Sequence, residues 1–191
     1  MSKFKRYWLG PVCPEVTEIQ TRSSGGAFTT RNMVTVAFLA ALSAMLQSMG
    51  GILPGIGFLI SPFATAPIIL GSVLSAGSGI IAYLLTILLL LFIQPSELIV
   101  FPFTTGLLAL GLGISLVLLK SRLTVLLIGS ISLFVGILFL LYVFRFPVLG
   151  PTVSSAFSLS VTTLLLGFCL LYCWVWVEMS KWIIRKLSKV I

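Results

Sequence analysis

The stretch that decides the fold runs from Asn32 to Ser96: NMVTVAFLAALSAMLQSMGGILPGIGFLISPFATAPIILGSVLSAGSGIIAYLLTILLLLFIQPS, 65 residues without a charged side chain. A helix crosses the hydrocarbon core with about 20 apolar residues, so this run holds three crossings. Breaks at Gly50-Gly51 with Pro54, and at Ser75-Ala76-Gly77-Ser78-Gly79, divide it. Spans are therefore predicted near 32–50, 54–75 and 79–94, the third closed by Gln94-Pro95-Ser96-Glu97. Working outward, Leu98 to Leu119 makes a fourth span and Leu123 to Phe144 a fifth. A sixth runs from about Val153 to Glu178, and its basic, amphipathic end continues through Lys189. The runs are continuously apolar instead of alternating, which excludes a β-barrel. The reading is an all-α polytopic membrane protein. A polar tail covers 1–31, six transmembrane helices 32–180 and a basic C-terminal end 181–191.

Composition agrees. Hydrophobic residues make up 59% of the chain and charged residues 8%, against about 25% charged in soluble domains. Between Asn32 and Val177 the charges are Glu97, Lys120, Arg122 and Arg145. With the N-terminus in the cytoplasm, six spans return Lys120, Arg122 and the C-terminal Lys181, Arg185, Lys186 and Lys189 to that side. Eleven of the twelve Lys and Arg residues then share one face, leaving Arg145 outside. The positive-inside rule asks for that bias, and five or seven spans would spoil it. The expectation is a multi-pass cell-membrane protein with both termini cytoplasmic. The net charge of +8 is split between two tails and a loop. No continuous basic face results, so nucleic acid is not an expected partner. The first long apolar run begins only near Met33, so the opening tail reads as a retained, mobile segment and not a signal peptide.

Chemistry-bearing patterns are few. The chain has no His and no Asp. Cys169 and Cys173 lie one helical turn apart but lack further ligands for a metal, and read as small apolar packing residues. Cys13 stands in the cytoplasmic tail. Gly111-Leu112-Gly113 is too short for a dinucleotide fingerprint. No P-loop or His-based triad is present, so neither a cofactor nor a catalytic residue is expected. Ion-coupled carriers keep carboxylates at mid-membrane, whereas Glu97 falls near an outer loop and Glu178 near the inner end of the last span. A small channel, a carrier or an intramembrane enzyme therefore stands behind a non-catalytic role.

The outer ends of the spans supply Gln47, Gln94, Glu97, Tyr142, Arg145, Thr152, Ser154 and Ser155. They form either an ordinary interfacial belt or an outward pocket in which Arg145 and Glu97 fix a polar solute. A structural ion pair between those two is the competing role. In the first span, Ala37/Ala41 and Ala40/Ala44 are overlapping small-xxx-small pairs, which serve an internal helix contact or a docking face for a partner. Pro62 and Pro67 lie inside the second span and should bend it. Thr65, Thr86, Thr104, Ser130 and Ser160 are expected to bond back to their own helices.

Two segments carry a resemblance. Thr29-Thr30-Arg31-Asn32 leads into Val34–Leu46 with its alanine strip, and Leu53–Leu70 is punctuated by Pro54, Pro62 and Pro67. Together with the size and six-span topology, they resemble the substrate-binding S component of energy-coupling-factor (ECF) vitamin transporters. Related YybS-like multispan bacterial membrane proteins are similar too. The resemblance covers roughly residues 29–120 and implies capture of a vitamin or small metabolite. It also implies docking of Ala37, Ala40, Ala41 and Ala44 onto a membrane-embedded T component driven by two ATPase subunits. The loop between the first two spans, about Gly50 to Leu53, is shorter than in many S components, where it caps the ligand. The alternative is a non-catalytic membrane protein that scaffolds or regulates others.

Overall fold

The computed structural model describes residues 7–8, 10, 12–22, 29–53, 55–119, 121–145 and 159–188. Its helices are α1 (Glu15–Arg22), α2 (Thr30–Ile52), α3 (Gly57–Ile60), α4 (Thr65–Leu74), α5 (Ala76–Ile93), α6 (Glu97–Phe103), α7 (Thr105–Leu118), α8 (Arg122–Tyr142) and α9 (Leu159–Ser188). Among the described residues, six stretches are long and apolar enough to cross a membrane: Thr30–Ile52, Gly57–Leu74, Ala76–Ile93, Glu97–Leu118, Arg122–Tyr142 and Ser160–Ser188. The all-α polytopic architecture stands.

The boundaries follow local chemistry. Ser75 and Ser121 sit in extended backbone and accept hydrogen bonds from the N–H groups of Ser78 and Thr124, capping α5 and α8. Pro62 lacks an N–H and crowds the preceding turn, and the second span tightens there into a 3-10 turn, Ser61–Ala64. Pro67 falls in the first turn of α4, where a missing N–H costs little. Thr104 breaks the fourth span between α6 and α7. Gly50-Gly51 does not end the first span, which continues to Ile52.

In the bundle, α2 packs against α4 and α5, α4 against α5 and α7, α7 against α8, and α8 against α9. Small residues let backbones approach, as expected where packing and not water exclusion drives helix association. A Cβ on Gly79 would overlap the hydroxyl of Ser72, and one on Gly113 would lie 2.5 Å from Ser72 Cβ. Ser72 thus seats α4 against α5 and α7 at once, which is the structural use of Gly113. Helix α9, 30 residues long, extends about 45 Å at 1.5 Å per residue, more than the hydrocarbon thickness of about 30 Å. Its buried stripe is Leu165, Cys169, Cys173, Trp176, Val177, Ser180 and Ile184.

One end of the bundle carries Arg122, Glu178, Lys181 and Arg185 and is called here the basic end. The opposite end carries Gln47, Gln94, Glu97 and Tyr142. The opening tail is not free over residues 12–22. Helix α1 packs on α4, α7 and α9 at the basic end, and Val12, Val16 and Ile19 are 3%, 3% and 5% exposed. Each such side chain contributes about 1.5–3 kcal/mol, while ordering each backbone residue costs about 1–2 kcal/mol. With roughly one residue in three buried, apolar burial does not hold this segment alone. Polar contacts to α8 and α9 complete it.

Candidate functional site

At the end opposite the basic one, α2, α6 and α7 bring three polar side chains together. Gln47 is 2% exposed. Its Nε2 donates to Glu97 Oε2 at 2.8 Å, and its Oε1 accepts from Thr105 Oγ1 at 2.9 Å. Both ends of a buried amide are satisfied, as a low-dielectric site requires. The position depends on Gly50-Gly51. A Cβ at Gly50 would stand 3.2 Å from Glu97 Oε1, and one at Gly51 would overlap the Gln94 amide. These glycines therefore make room for Glu97 and Gln94 to lie against α2. Gln94 donates to Ser96 Oγ at 2.9 Å on the exposed rim. Glu97 itself is half-buried, so its carboxylate is reached from the rim.

Deeper along the same face of α2, Ser43 donates to the Ala64 carbonyl at 2.8 Å, at the 3-10 turn. Thr86 donates to the Ala40 and Ala82 carbonyls at 3.3 and 2.8 Å. Thr65 is wholly buried, and among the described residues its hydroxyl has no hydrogen-bond partner. The expected back-bonding holds for Thr86, Thr104 and Ser130, and fails for Thr65, whose preceding turn is 3-10 instead of α.

The structure sorts the sequence candidates. Gln47 and Glu97 meet, and Gln94 is their neighbour. Thr105, which the sequence does not single out, completes the group. Among the described residues no ion pair joins Arg145 to Glu97. Arg145 is exposed, with φ 51 in the left-handed region, and follows an aromatic cluster in which Phe103, Phe139 and Phe144 have centroids 4.8–5.8 Å apart. Tyr142 lies near that cluster at the end of α8 and is 36% exposed. Thr152, Ser154 and Ser155 lie outside the described residues. The alanine strip divides. Ala40 and Ala44 are completely buried inside the bundle, so no outside helix reaches them. Ala37 is exposed and Ala41 half-buried, beside the exposed Val34, Phe38 and Leu42. Of the strip, Ala37 and Ala41 are what α2 presents on its outer surface.

The basic end is a second polar assembly, whose residues sequence reading uses only to assign the cytoplasmic side. Arg122 is 4% exposed. Its Nη1 lies 2.9 Å from Glu178 Oε1, an ion pair without the alignment of a hydrogen bond. The Tyr7 ring covers the guanidinium at 3.9 Å, and the Tyr7 hydroxyl donates to Glu178 Oε1 at 2.9 Å. Lys181 Nζ is 3.6 Å from Glu178 Oε2, and Arg185 Nε is 3.3 Å from Glu15 Oε1. Beside them the Cys13 thiol is pushed up to about 11, chiefly by burial and then by the Glu15 charge.

Among the described residues no three His, Cys, Asp or Glu side chains group to hold a metal. A shallow apolar groove between Ala66, Ile69 and Leu70 of α4 and Ser180, Ile183 and Ile184 of α9 has no interior room for a water molecule. Compared with known proteins, the chain matches no family model, no curated protein and no solved structure.

Proposed function

We propose that this chain is a membrane-embedded subunit that binds a small polar solute at the Gln47–Glu97–Thr105 end. In this reading it works as the S component of an ECF-type importer for a vitamin or small metabolite. The basic end then faces the cytoplasm, in keeping with the positive-inside rule. The observation that carries the reading is the half-buried Glu97 carboxylate, held by a buried amide at the end of the bundle opposite the basic one. A carboxylate that is fixed in place yet reached from the rim can accept charge-assisted hydrogen bonds from a polar solute. Ala37 and Ala41, facing outward on α2, supply a close-approach surface for a T component. The mutual satisfaction of Gln47, Glu97 and Thr105 favours the second reading, a scaffolding or regulatory membrane protein in which this group only ties α2 to α6 and α7.

The two are separated by co-purification in mild detergent from the native cell. Ala37→Trp should abolish association with a membrane partner and its two ATPases while leaving a monodisperse bundle. Ala40→Trp should instead disrupt the bundle, because Ala40 is internal. Absence of any ATPase partner from the wild-type preparation counts against the importer reading.

A further inference from the structure

We propose that residues 7–8 and 12–22 form a latch, closed in this structure, that occupies the basic end of the bundle and can be released to uncover it. The closed contact has two parts. Val12, Cys13, Val16 and Ile19 face inward, at 3%, 9%, 3% and 5% exposure. Val16 and Ile19 lie three apart on α1, which packs on α4, α7 and α9, and Val12 and Cys13 precede that helix. Tyr7 and Glu15 add the polar part, through Glu178 with Arg122 and through Arg185.

Three features mark this contact as releasable. Glu178 holds the latch through Tyr7 and is at the same time paired within the bundle with Arg122 and Lys181, so it keeps its charged partners when Tyr7 leaves. Among the described residues, the buried Oε2 of Glu15 has no hydrogen-bond partner. A buried polar atom left unmatched weakens the closed state. The segment also lies outside the six spans, so it can leave without unthreading a membrane helix. Release would expose Arg122 and the apolar surface now under Val12, Val16 and Ile19. The latch's own chemistry describes what could replace it: a short helix with apolar residues three apart, an apolar stretch before it, and an acidic group for Arg185. The latch does not depend on the solute-binding reading, since its contacts all lie at the other end.

Cys13 reports the state of the latch. In the full-length chain in mild detergent, Cys169→Ala and Cys173→Ala leave Cys13 as the single thiol. Its maleimide reaction is compared with that of a Thr17→Cys, Cys13→Ala version, whose thiol lies on the exposed face of α1. A closed latch makes Cys13 react at least about tenfold more slowly, as expected for a site reached only by local opening. Tyr7→Ala and Glu178→Gln should each raise the Cys13 rate about fivefold or more, through the same opening equilibrium, and leave position 17 unchanged. Tyr7 lies outside every span, so its variant decides the matter even where Glu178→Gln fails to fold, with circular dichroism confirming the helices. An unchanged Cys13 rate in Tyr7→Ala means the segment is a fixed part of the bundle and overturns the latch. A wild-type Cys13 rate equal to that at position 17 overturns it from the other side, because the segment is then not closed.

Discussion

Replacing Gln47 by Leu removes two hydrogen bonds at once, to Glu97 at 2.8 Å and from Thr105 at 2.9 Å. In water-soluble proteins the bond to a charged group contributes about 1.5–3 kcal/mol and the neutral one about 0.5–1.5 kcal/mol. Inside a membrane bundle the measured couplings are smaller, averaging about 0.6 and reaching about 1.7 kcal/mol, because the disrupted state finds other partners. Gln47 is almost fully buried, which pushes the value up. Glu97 is half-buried and finds water when its partner is lost, which pushes it down. We expect a coupling energy near 1 kcal/mol between Gln47→Leu and Glu97→Leu, toward the upper part of the membrane range. Thr105→Val should cost about 0.5–1 kcal/mol, as the loss of a neutral bond. The assay is a double-mutant cycle on reversible unfolding in mixed detergent, followed by the fluorescence of the four tryptophans. Independent sites add within about 0.3–0.5 kcal/mol. Additivity at that level would refute the claim that this amide ties α2 to α6.

Other positions give sharper structural tests. A Cβ at Gly136 would overlap the Phe103 carbonyl oxygen, which is backbone and cannot rotate away, so Gly136→Ala should lower stability by about 1–3 kcal/mol in the same unfolding assay. Gly167 has nothing within 4 Å of the added methyl, so Gly167→Ala should be neutral or stabilising by up to about 1 kcal/mol. Arg145 holds φ 51 while exposed, and Arg145→Gly should stabilise by about 1 kcal/mol through relief of the left-handed penalty; a loss of stability would show that its side chain has a structural partner. A cysteine at Ser96 should react with an impermeant thiol reagent on intact cells, and one at Ser121 should not, once the native cysteines are replaced. Labelling at position 121 would invert the assigned orientation.

The spans were legible because a charge-free run of 65 residues leaves few alternatives in a 191-residue chain. Their edges were less so. Gly50-Gly51 read as a break, yet in hydrocarbon a glycine pair costs little helix when its missing side chains admit Glu97 and Gln94. The inward face of α2 carried a readable signal that pair-counting of alanines did not use. Ser43 and Gln47 lie four apart, and polar side chains in a membrane helix turn toward the bundle interior. That places Ala40 and Ala44, on the same side, inside. Arg122 was opaque for a different reason. Its partner Glu178 is 56 positions later (178 − 122) and Tyr7 is 115 earlier (122 − 7), so no local pattern shows that a loop arginine becomes a buried ion pair. Gln47 and Glu97 are likewise 50 residues apart; each was visible as a polar residue at one end, but their meeting depends on how α2 and α6 pack.

The most direct test of the solute-binding account is native mass spectrometry of the detergent-purified chain, expressed in its own cell, for the wild type and for Glu97→Leu. The account predicts a stoichiometric small-molecule adduct on the wild type, lost in Glu97→Leu while the bare protein stays folded and monodisperse. A wild-type spectrum showing only the bare mass and nonspecific lipid, or an adduct that survives Glu97→Leu unchanged, would contradict it.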